Sequence, residues 1–195
     1  MMASQQPAPP SDGRGALNWI LLVARSLACT LEVFLHNPST FGARYLQLQS
    51  LVGLVLIFFF PVFFEREDPR PMFVYAGVFF FACCVIRAKA SLRRARGAPE
   101  EHSYYNGTPS LMRLFRRSSE LHVKGAVEPV LVALLGFALI AWSRPLGSYL
   151  VIAAIGLMVS VRASQRVDRA RALDMNDAFH DQRRISDQWR RMRRD

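Results

Sequence analysis

Lysine is almost missing from this chain: among 25 basic side chains only Lys89 and Lys124 are lysines, and the rest are arginine. Cysteine is scarce as well. There are three, and the adjacent pair Cys83 and Cys84 leaves neither a disulfide framework nor a Cys-x-x-Cys metal spacing. No Gly-rich phosphate loop, no His-Glu-x-x-His, no zinc pattern and no Ser/His/Asp order occurs, so neither a metal nor a cofactor is expected. What is abundant is apolar surface, at 51% of 195 residues, and it sits in a few long blocks with arginine between them. That distribution excludes a disordered tail protein and a low-complexity chain. It also argues against a soluble domain, which interleaves apolar and charged residues at helix or strand period. The preference for arginine over lysine points to a GC-rich bacterial genome.

Leu46 to Phe64 runs 19 residues without a charge, and every residue after Ser50 is apolar. At a rise of about 1.5 Å per residue it comes close to the ~30 Å hydrocarbon thickness of a bilayer. Met72 to Ile86 is shorter and borrows length from Arg87 and Lys89, whose long stems let their charges reach the headgroups. Pro129 to Trp142 and Leu146 to Val161 complete the set, with Trp142 and Tyr149 suited to interfacial depth. The turn from Glu65 to Pro71 holds five charges, and each would cost roughly 2.5–3.5 kcal/mol at the bilayer midplane, so the first hairpin has to reach the far aqueous side. The second turn, Ser143-Arg144-Pro145, is less decisive and leaves a shallow insertion open.

Arginine sets the orientation. The turns hold Arg66, Arg70 and Arg144, while the other 22 basic residues lie on the opposite side of this threading. The positive-inside rule therefore places both termini and the central loop in the cytoplasm of a bacterial inner membrane.

Residues 1–15 read as a disordered tail. Between 16 and 36, Leu17, Ile20, Ala24, Leu27, Leu31 and Phe34 mark one helix face, and Arg25, Cys29, Glu32 and His36 mark another. A cleaved signal peptide ending near Ala28 conflicts with the charge rule. A fifth span with its N-terminus outside keeps the threading. An amphipathic helix lying in the cytoplasmic interface, with the polar stripe toward water, is the favoured reading.

The expected fold class is thus an all-α integral membrane protein: an interfacial helix over 16–36, hairpins over 41–90 and 126–161, and a basic cytoplasmic helical tail over 162–195. The connecting loop, 91–125, carries a short amphipathic basic helix opened by Thr108-Pro109, with Arg113, Arg116 and Arg117 beside Leu111, Leu114 and Phe115. Arg93, Arg94 and Arg96 join these as candidate contacts to anionic lipid. In the tail, Ala178, Ile185 and Met192 recur every seven residues beside Trp189, which makes Ile185 and Trp189 candidate partner contacts. His102, Tyr104 and Tyr105 form the densest set of reactive side chains. Glu128, at the entrance of a span, reads as a helix cap or structural ion pair, or else as a proton- or ion-handling group.

The favoured function is a non-enzymatic scaffold or assembly subunit that binds anionic lipid and other protein subunits, with homo-oligomers compatible. Nucleic acid is disfavoured because the tail's ten arginines face six aspartates. An oligomeric channel or transporter lined by Glu128 and Arg144 is the alternative. A membrane-embedded enzyme with His102, Tyr104, Tyr105 and Glu128 converging in one pocket is the third reading.

Overall fold

The computed structural model describes residues 12–42, 45–97, 105–113 and 119–193. They are helical with no strand among them: α1 (Asp12–Leu35), α2 (Leu48–Phe59), α3 (Arg70–Ala95), α4 (Glu120–His122), α5 (Glu128–Ile140) and α6 (Arg144–Met192). By compactness the chain forms two units, Met1–Ser160 and Val161–Asp195. In the second unit the helix is exposed at every described side chain from Arg166 onward.

Proline and glycine set several boundaries. Pro71 and Pro145 fall in the first turns of α3 and α6, where a missing N–H costs nothing. Gly97, at φ +64°, follows the end of α3. Pro61 tightens the end of α2 into a 3₁₀ turn, Phe60–Phe63. Pro129 has no N–H to donate and its ring crowds the carbonyl four residues back. The backbone just before it widens into a π-helical turn, Val123–Val127, which joins α4 and α5 into one helical run.

Four helical stretches among the described residues are long and apolar enough to cross a membrane: Gly15–Leu35, Arg70–Ala95, Glu120–Ile140 and Arg144–Arg190. The number matches expectation, but the membership does not. The first expected span, Leu46 to Phe64, forms the shorter apolar stretch Leu48–Phe63, because the chain is still turning at Tyr45–Gln47 and Pro61 ends the regular α-helix. The N-terminal helix, by contrast, is among the four.

The expected burial pattern of that helix, with its polar stripe toward water, also needs correction. Residues 28–33 of α1 are buried consecutively, so this part of the helix is enclosed on all sides. Cys29, Glu32 and His36 from the polar stripe lie in the core, whereas Leu17, Trp19, Ile20 and Val23 are exposed. From Cys29 to His36 the stripe is turned into the protein instead of toward water. Close approach is secured by small residues. A Cβ on Gly53 would lie 2.8 Å from Thr30 Cγ2, and one on Gly147 would lie 2.5 Å from the Ile140 backbone nitrogen. Gly77, in contrast, has no neighbour within 4 Å of a built Cβ. Outward faces carry Phe58, Phe81, Leu134 and Phe137, each more than half exposed.

Candidate functional site

Where α1 ends, the chain turns at Asn37-Pro38, and residues 36–42 run antiparallel to residues 105–109. Isolated bridges pair His36 with Pro109 and Phe41 with Asn106. The Asn37 N–H donates to Thr108 O at 2.9 Å, and the Gly42 N–H donates to Tyr105 O at 2.9 Å. The turn between Asn106 and Thr108 depends on Gly107, at φ +84°, where a Cβ would sit 3.2 Å from His36, Phe41 and Thr40 side-chain atoms.

This ribbon delivers polar groups to the buried end of α1. His36 Nδ1 lies 2.6 Å from the Asn106 carbonyl, which can only accept, so Nδ1 carries a hydrogen. The other ring nitrogen, Nε2, lies 3.0 Å from Glu128 Oε2, and both side chains are fully buried. A proton between them makes either an imidazolium–carboxylate pair or a neutral imidazole accepting from a carboxylic acid. Burial alone would disfavour the imidazolium. The Glu128 hydrogen bond, the Glu32 and Glu128 charges and the Asn106 carbonyl outweigh that penalty and raise the His36 pKa above its ordinary value. Glu128 Oε1 is buried without a hydrogen-bond partner.

Asn106 links this pair to a second carboxylate and a lysine. Its Nδ2 donates to Glu32 Oε1 at 3.0 Å, and its Oδ1 accepts from Lys124 Nζ at 2.8 Å. Tyr45 donates its hydroxyl to Glu32 Oε2. Burial raises the Tyr45 pKa well above the usual phenol range, with the Glu32 charge adding to the effect, so the hydroxyl remains a donor. Lys124 also pairs with Glu120 at 2.7 Å, lies 4.7 Å from the centre of the Tyr105 ring, and shares Glu120 with the Tyr105 hydroxyl at 2.7 Å. The buried cationic candidates, His36 and Lys124, thus match the buried carboxylates Glu32 and Glu128 in number.

The expected residues distribute unevenly around this cluster. Glu128 is at its centre, and Tyr105 borders it through Glu120, not through Glu128. His102, Tyr104, Arg116 and Arg117 lie outside the described residues. Arg93 donates to Phe41 O at 2.7 Å and ties α3 to the ribbon, while Arg94 and Arg96 are exposed at the end of α3. Arg113 lines a surface hollow with Asn37 and Met112. Arg144 lies beyond the opposite end of α5 from Glu128 and pairs with Glu67 at 3.3 Å. Ile185 and Trp189 are exposed on α6. Glu128 does not cap its helical run either: that run starts at Glu120, where the Ser119 side chain accepts from the His122 N–H.

Local sequence marked Glu32 and His36 as one face but left out Asn106, Lys124 and Tyr45, whose roles depend on contacts across the fold. No group of three or more His, Cys, Asp or Glu side chains among the described residues is placed to hold a metal ion. Comparison with protein-family models, with curated proteins and with solved structures gives no match.

Proposed function

We propose that the chain is a multi-pass bacterial inner-membrane protein that serves as a scaffold or assembly subunit of a membrane complex. In this reading, α2 with α3 and α5 with α6 form two hairpins, and the arginine-rich central segment and tail are cytoplasmic. Embedding of α1 in the bilayer fits its inward polar stripe and outward Leu17, Trp19 and Ile20, with the N-terminus then on the far side. Exposed Arg94, Arg96 and Arg113 are suited to anionic headgroups.

The observation that carries the reading is on α6. Ile185 and Trp189 are 53% and 66% exposed on a helix otherwise rich in charge, which is the signature of a contact surface. The polar side chains of the buried cluster are largely spent on one another, and a clamp joining α1, the 105–109 segment and α4–α5 is what a rigid scaffold needs. The test is deletion of residues 171–195. The shortened protein should still insert and should lose a specific partner that the full chain retains in mild detergent. Retention of every partner would remove the reading.

A second reading, ion or proton passage, is favoured by the lone Oε1 of Glu128. It requires Glu128→Gln to change flux in liposomes, and unchanged flux ends it.

A further inference from the structure

Beside the ribbon lies a surface hollow of about 590 Å³, formed where residues 37–38 pass residues 108–113. Its chemistry is one-sided. Arg113 supplies the only charge among the lining side chains, and no carboxylate is one of them. Asn37 spends its side-chain oxygen on the Ser39 N–H at 3.1 Å and the Ser39 hydroxyl at 2.7 Å, which leaves its amide N–H groups as donors. Ser110 and Arg113 are exposed, and among the described residues nothing pairs with the Ser110 hydroxyl or the Arg113 guanidinium. Pro38, Pro109 and Met112 make the rest of the wall apolar.

These groups select an anion, and size and depth narrow which one. A guanidinium presents paired N–H donors that match two oxygens of a phosphate. The Ser110 hydroxyl and the Asn37 amide add donors from separate stretches of chain, which suits a tetrahedral oxyanion better than a flat carboxylate. The hollow falls in the range of small-ligand sites, roughly 300–1,000 Å³, and holds more than a lone phosphate, so the anion carries an organic group. Asn37 follows the candidate span Gly15–Leu35 by two residues. In the threading proposed above, that end of α1 is cytoplasmic, and the hollow lies at the depth of the headgroups in the leaflet that carries anionic lipid.

We propose that the hollow is a binding site for a phosphate ester, held by Arg113, Ser110 and Asn37, and that the headgroup of an anionic phospholipid is its source. The proposal rests on the reading of Arg113 as a headgroup contact and gives that contact a site. Because the hollow takes residues from both arms of the ribbon, a bound ester also braces the ribbon beside the buried His36–Glu128 pair.

The test places the full-length protein in phosphatidylcholine nanodiscs and follows hydrogen exchange at the Asn37 amide, whose bond to Thr108 O crosses the ribbon at the hollow. Two probes are used separately: phosphatidylglycerol replacing about one-fifth of the lipid, and free glycerol phosphate. A probe present at about ten times its Kd should slow that exchange roughly tenfold. The slowing should be lost in Arg113→Gln, weakened in Ser110→Ala and kept in Arg96→Gln, which removes an exposed arginine outside the hollow. That pattern with phosphatidylglycerol establishes the site and its lipid source. The same pattern with glycerol phosphate alone keeps the phosphate-ester site and overturns the lipid source. Slowing that survives Arg113→Gln overturns the site while leaving the general attraction of exposed arginines to anionic lipid standing. No slowing by either probe overturns both the site and the assignment of Arg113 to headgroups.

Discussion

His36 Nε2 meets Glu128 Oε2 at 3.0 Å across 92 positions of sequence, with no solvent on either side chain. Removing one member of such a pair leaves the other buried without compensation. Glu128→Ala is therefore expected to lower stability by about 3–5 kcal/mol, read as thermal unfolding in detergent. A loss below about 1 kcal/mol would show that the pair does not hold the fold.

The same contact makes stability depend on pH. The folded His36 pKa is raised above 6.5, so the charged form contributes stability that is fully present below pH 6.5 and is lost as pH rises through the folded value. Melting temperature should fall from about pH 6.5 upward, and His36→Gln should flatten that slope. That variant keeps the other titratable side chains of the cluster, Glu32, Glu120, Glu128, Lys124, Tyr45 and Tyr105, in place. A wild-type curve that is flat or rising between pH 6.5 and 8.5 contradicts the assignment.

Gly107 holds the docked turn at φ +84°, where a Cβ would crowd His36, Phe41 and Thr40 at 3.2 Å. Gly107→Ala is expected to cost about 1–2 kcal/mol from the left-handed backbone, with crowding against His36 adding to it. Hydrogen exchange at the Asn37 and Gly42 amides, which bond to Thr108 and Tyr105, should speed up in the variant. Unchanged protection would mean that the 105–109 segment is held in some other way.

Threading is checked by labelling single cysteines with a membrane-impermeant maleimide. A cysteine at Arg94 should react only in inverted vesicles, and one at Asp12 only in intact cells once the outer membrane is made permeable. Reaction at Arg94 from outside would invert the whole arrangement.

Much of the fold was legible because charge-free blocks stand out against arginine. Pro71 and Pro145, read as the ends of the two turns, fall in the first turns of α3 and α6. The length of α2 was misread because a run of apolar residues does not show where the regular helix stops, and Pro61 stops it within the block. The stripe through Cys29, Glu32 and His36 was visible at helical spacing, but periodicity identifies a face and not what the face meets. Its partners, Asn106 and Glu128, are 70 and 92 residues from His36. Glu128 looked like a cap because the apolar block begins beside it. The π-turn instead extends the helical run back to Glu120, which places Glu128 inside that run.

The distance along the chain between His36 and Glu128 imposes an order on biogenesis. At about 5–20 residues per second, a ribosome that has just made His36 needs roughly 5–20 s to reach its carboxylate partner. During that interval α1 carries Glu32 and His36 without Asn106, Lys124 or Glu128 to receive them. The final seating of α1 is therefore gated by translation of the segment that begins α5.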